Sequence, residues 1–147
     1  IRKTEPGPKP CPPLPNSQTG FEIMQLDHFS LRTNELDAMK EFFCAVVELE
    51  VGERPPFKFA GYWLYDRAGG PAIVHLINAD SEPAGNTGTV DHMAFKGDGR
   101  RYDEISSRIE ALDYVQERRT VPGAGLRQIF VTGPHGFVVE LNFPPAD

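Results

Sequence analysis

Four positions in this chain carry metal-binding side chains at a spacing that repeats. His28 lies in "LDHFSLR" and His92 in "VDHMAFK", while His75 lies in "AIVHLIN" and Glu140 in "FVVELNF". The members of these pairs stand 64 and 65 residues apart, and two apolar stripes, Leu36, Met39, Phe43, Val46 and Tyr102, Ile105, Ile109, Leu112, are offset by 66. An offset shared by three elements marks an internal repeat. An imidazole inside an apolar run such as "GPAIVHLIN" costs free energy unless it meets a hydrogen-bond partner or a metal. A single strand histidine is ordinarily a satisfied core residue. Three imidazoles and one carboxylate at symmetric places instead suit a divalent transition metal.

The elements that must position these groups follow from periodicity. Strands are predicted in "QLDHFSLRT", "LEVGERP", "GYWLYDR" and "AIVHLIN", and again in "VDHMAFKG", "YVQERRTV", "LRQIFVT" and "FVVELNF". Each apolar stripe reads as a helix, with Asn34 placed to cap the first. The chain is thus two βαβββ units, at about 24–80 and 88–143, each with a sheet face that the other must help bury. Side chains alternate across a strand. Parity puts Phe29, Leu31, Met93 and Phe95 on the helix-packed face, and His28, His75, His92 and Glu140 on the other. Trp63, Tyr65, Gln128 and Phe130 share a parity that lets them line a substrate pocket. Arg32 and Lys96 read as solvated strand ends, and His135 as a surface turn residue.

Composition narrows the function classes. With 147 residues, 39% hydrophobic and 24% charged, the chain has the make-up of a globular domain. A net charge of −6 is the wrong sign for a nucleic-acid partner. No apolar run reaches the roughly 18–20 residues of a membrane span. Residues 1–20 carry six prolines and read as a tail outside one domain spanning 21–147. Cys11 and Cys44 make no zinc cluster, and with no signal-peptide pattern they fit a reducing, cytoplasmic setting.

The paired "DHF" and "DHM" strands and the terminal "GPHGFVVEL" resemble the vicinal oxygen chelate superfamily: glyoxalase I, extradiol dioxygenases, methylmalonyl-CoA epimerase, and fosfomycin- and bleomycin-resistance proteins. The resemblance covers roughly residues 24–143. It implies an α+β fold in which the two βαβββ modules pair into an open, cup-shaped mixed sheet with helices on the outer face. It also implies a homodimer, and a metal held by His28, His75, His92 and Glu140. His75 departs from glyoxalase I and the epimerases, where Glu or Gln is expected. The His28, His92, Glu140 set is similar to that of extradiol dioxygenases, yet "LRQIFVT" offers Phe130 and no tyrosine. Bleomycin-binding relatives generally lack the ligands altogether.

What the resemblance implies is a metal-dependent enzyme acting on a small substrate chelated through adjacent oxygens. The reaction would be an isomerisation, a lyase step or ring-cleaving dioxygenation. Glu140 is the base, and one divalent ion (Fe, Ni, Zn or Mn) serves each site. A non-catalytic drug- or metabolite-binding protein of the resistance type is the alternative. The expected partner is a small molecule, not nucleic acid or membrane.

Overall fold

The two repeats fold into the same succession of elements. The structure, a computed structural model, describes residues 26–83 and 90–145. The first unit comprises β1 (Phe29–Thr33), α1 (Leu36–Phe42), β2 (Glu50–Val51), β3 (Gly61–Tyr65) and β4 (Ala72–Asn78). The second comprises β5 (Met93–Lys96), α2 (Tyr102–Ala111), β6 (Val115–Thr120), β7 (Arg127–Thr132) and β8 (Val138–Phe143). Each makes a four-stranded mixed sheet, ordered β1-β4-β3-β2 and β5-β8-β7-β6. The parallel pairs set Ser30 opposite His75 and Ala94 opposite Glu140, so the repeat holds at the level of single residues. The expected α+β fold of two βαβββ modules is therefore present. The proline-rich tail at 1–20 lies outside the described residues.

Several boundaries differ from the sequence reading. β1 and β5 begin one residue after His28 and His92. Only Glu50 and Val51 of "LEVGERP" pair as a strand, because Pro55 and Pro56 cannot continue the ladder. Asn34 does not cap α1. The residue at the helix N-terminus is Glu35, with no side-chain cap, and its amide donates to the Thr33 hydroxyl at 2.9 Å in a local turn between strand and helix. The helix then widens into a π turn, Phe43–Val47, and stops at Glu48. Glu48 has φ 66°, a left-handed conformation that glycine usually supplies at a helix end. Leu112, expected on the second stripe, follows the end of α2 and is exposed.

One core serves both modules. Phe42 and Phe43 are fully buried and reach across the boundary. Phe43 meets Phe137 at 5.9 Å and Phe95 at 6.5 Å between ring centres, and Phe42 meets Tyr114 at 5.2 Å. Gly133 makes room for this, since a Cβ there would lie 2.7 Å from the Phe42 ring. Polar clamps add to the junction. Glu48 pairs with Arg101 at 2.8 Å and with Arg108, and these guanidinium groups hold its carboxyl down at about 2. His135 is not a surface turn side chain. Its backbone turns left-handed (φ 57°), and its side chain is only 9% exposed, with Nε2 2.8 Å from Thr33 Oγ1 of the other module. Cys44 is half-buried in the π turn that follows α1, and burial raises its thiol pKa. Among the described residues no helix is long and apolar enough to cross a membrane.

Candidate metal centre

Each module presents a pair of candidate ligands on the sheet face turned away from the shared core. In the first, His28 and His75 stack with ring centres 3.9 Å apart. In the second, His92 Nε2 faces Glu140 Oε2 at 2.6 Å. The asymmetry of the pairs follows from sequence, because β4 supplies an imidazole where β8 supplies a carboxylate. Parallel pairing to β1 and β5 then fixes each beside the histidine that precedes its neighbouring strand.

Both strand-leading histidines are oriented in the same way. His28 Nδ1 lies 2.5 Å from Asp27 Oδ2, and His92 Nδ1 lies 2.7 Å from Asp91 Oδ2. A carboxylate on Nδ1 fixes the ring and points the chemistry to Nε2, the arrangement that surrounds metal-bound histidines; in His92 that Nε2 already faces Glu140 Oε2. The donor set thus suits a divalent cation. The two aspartates escaped the sequence reading, although the repeated "DH" dipeptide was the signal for them. His75 gains no such partner. Burial pushes its pKa down, nearby His28 adds to this and Asp27 opposes it, so the ring stays neutral further into the acid range than an ordinary histidine.

The expected pocket residues surround these pairs. Trp63 lies flat on His75, 4.2 Å away and within 5° of parallel. Phe130 meets His92 edge-on at 5.7 Å. Gln128 Nε2 donates to Glu140 Oε1 at 2.6 Å and to Asn142 Oδ1 at 3.0 Å, fixing a carboxylate that is 8% exposed. Tyr65, two positions beyond Trp63 on β3, points its hydroxyl to the Glu53 carbonyl at 2.7 Å. Arg32 and Lys96 are exposed, as expected of strand ends.

The two half-sets do not merge within the described residues. His28 and His92 border one cavity of about 350 Å³, but no three metal-binding side chains gather there or elsewhere among those residues. The sequence reading placed all four ligands around one centre, and the chain delivers them as two pairs.

Comparison with known proteins agrees with the architecture. The structure resembles the genomically encoded fosfomycin resistance protein FosX from Listeria monocytogenes, at 20% identity over 84% of this chain and 96% of that one, with a TM-score of 0.67. A Glu-to-Gln mutant of that protein, complexed with Mn(II) and 1S,2S-dihydroxypropylphosphonic acid, gives a TM-score of 0.68 at 18% identity, covering 84% and 95%. FosX from Mesorhizobium loti gives 0.60 at 18% identity, covering 84% and 95%. No curated protein matches the chain significantly. At such identities the likeness shows the fold. A family model does more, matching residues 25–141 from the approach to β1 through most of β8, and by that match the chain belongs to the Glyoxalase/Bleomycin resistance protein/Dioxygenase superfamily.

Proposed function

We propose that this protein is a metal-dependent enzyme that binds a small substrate through two adjacent oxygens, using His28, His75, His92 and Glu140 to hold one divalent ion. The observation that carries this reading is the matched pair of Asp–His contacts, Asp27–His28 and Asp91–His92, which hold both Nδ1 atoms in equivalent places and reserve Nε2 for the ligand role. FosX, a relative in fold, binds Mn(II) and a phosphonate bearing two hydroxyls, a ligand of the chemistry this donor set would accept. When bound, such an ion supplies Lewis acidity to the substrate oxygens. Glu140 is the proton acceptor of the set. Its Oε1 accepts from Gln128 and its Oε2 faces His92 Nε2 at 2.6 Å, so the proton it takes or returns would pass at Oε2, beside that imidazole. Gln128 restrains the carboxylate against rotation, while Trp63 covers one face of His75 and Phe130 packs edge-on against His92.

A second copy of the chain completes the set in this reading. Each half-set lies on a sheet face outside the shared core, and a twofold dimer would lay the His28/His75 face of one copy against the His92/Glu140 face of the other.

Elemental analysis of protein dialysed against an equimolar mixture of Fe(II), Mn(II), Ni(II) and Zn(II) under anaerobic conditions tests the proposal. The wild type takes up one ion per chain. His28→Ala, His92→Ala and Glu140→Ala lose it, and His75→Ala loses less because water can replace one ligand. Unchanged metal in Glu140→Ala protein would discard the site.

A further inference from the structure

The β2–β3 connection, residues 52–60, carries an aromatic wall that the metal set does not account for. Phe57 and Phe59 are 46% and 47% exposed, yet they stack on each other with centres 5.1 Å apart and planes 14° from parallel. Phe57 meets Trp63 at 6.3 Å, Trp63 lies on His75, and His75 lies on His28. Five rings therefore run without a break from the solvent edge to two candidate ligands.

The wall is held in place. The Arg54 guanidinium sits 5.0 Å from the centres of both phenyl rings and donates from Nη2 to the Phe59 carbonyl at 2.8 Å. Gly61 sits beneath it, where a Cβ would lie 2.3 Å from the Leu76 carbonyl oxygen and 3.3 Å from Nη2. Among the described residues no carboxylate lies within ion-pair reach of Arg54, so its charge is spent on ring faces. Beside it opens a groove of about 520 Å³ bounded by Glu53, Arg54, Pro55, Trp63 and Tyr65. That volume suits a small molecule with one ring.

The second module has no counterpart. Its β6–β7 connection reads "VPGAGL" and contains no aromatic residue. The one cation stacked near His92, Arg119 over Phe130 at 4.6 Å, is already neutralised by Glu117 at 2.7 Å. Repeat symmetry would have copied a purely structural feature into both halves. The difference lies where a substrate would have to be oriented.

We propose that this groove receives a planar aromatic group on the substrate, so that the natural substrate is an aryl compound whose adjacent oxygens reach the metal. The ring would lie against Trp63 and Tyr65, with the flat guanidinium of Arg54, which Phe57 and Phe59 hold in place, completing the stack. This rests on the metal-centre reading above and adds the substrate class.

Phenylglyoxylate and pyruvate present the same pair of adjacent oxygens and differ by the ring. Titration calorimetry on Mn(II)-loaded protein should show phenylglyoxylate binding about tenfold or more tightly than pyruvate. In Phe57→Ala/Phe59→Ala protein that preference should fall to about threefold or less while Mn(II) content is retained. Quenching of Trp63, the only tryptophan in the chain, by phenylglyoxylate in metal-free protein gives a second readout. Equal affinity or no binding of the two acids in Mn(II)-loaded wild type would overturn the inference and leave the metal centre standing. Failure of the wild type to take up Mn(II) would instead sink the metal reading, and ring-dependent quenching would still support the groove. Conversion of a dimer to monomers by the double substitution would show that the phenyl rings are an interface, and would overturn it.

Discussion

Gln128 bridges Glu140 and Asn142 with one amide nitrogen, at 2.6 and 3.0 Å, so a single side chain on β7 sets the rotamer of the only carboxylate in the candidate ligand set. Outer partners of metal ligands typically matter by about 10–100-fold in affinity. Gln128→Ala should therefore weaken Mn(II) binding by about that factor, measured by calorimetry, with little change in thermal stability. An affinity equal to wild type would show that Glu140 needs no such support.

The division of the ligands into two pairs makes a sharp test of the dimer. A His28→Ala/His75→Ala protein and a His92→Ala/Glu140→Ala protein should each bind no metal. Refolded together in equal amounts, random pairing would restore about one quarter of the wild-type sites. Recovery of no sites would mean that each centre belongs to one chain.

Glu48 predicts an acid dependence with a definite sign. Its carboxyl sits at about 2 in the folded chain against an ordinary value of 4.5, with Arg101 and then Arg108 as the favourable causes and burial opposing them. The folded-state value is depressed, so its contribution is complete above about pH 4.5 and disappears as pH falls towards 2. For a carboxylate that is 25% exposed we expect Glu48→Gln to cost about 1–2 kcal/mol at pH 7 after allowance for solvent screening. Urea melts at pH 7, 4 and 3 should show the difference from wild type shrinking with acid. A gap that widens would reverse the assignment.

Gly133 is required for space, not for its backbone angle. An added Cβ would lie 2.7–2.8 Å from three atoms of the Phe42 ring, which is fully buried and has nowhere to retreat. Gly133→Ala should lower stability by about 1–3 kcal/mol, read from chemical denaturation. A neutral result would mean that the module junction is looser than its packing suggests.

Local chemistry and periodicity made the repeat, the module composition and the four candidate ligands readable, because strand parity and a shared offset are properties of neighbouring residues. His75 and Glu140 fell on equivalent faces of the two sheets by counting alone. The grouping of the four was not readable, since it depends on which faces the modules bury against each other. His135 shows the same limit: its partner Thr33 is 102 residues away, and the left-handed turn that buries the ring gives no periodic signal. Arg54, Phe57 and Phe59 lie in a proline-interrupted connection with no period to assign them a face. Asn34 misses the capping role because the helix starts only at Leu36, which makes Glu35 the residue at its N-terminus.

The junction through Phe42 and Phe43 has a consequence for how the molecule opens. Their rings belong to the first repeat by sequence but fill space among Tyr114, Phe95 and Phe137 of the second. Neither half has a private interior that would survive loss of the other, so fluctuations that expose one should expose both. The slowest-exchanging amides should then come from β4 and β8 alike and share one opening free energy, although the gene encodes the unit twice.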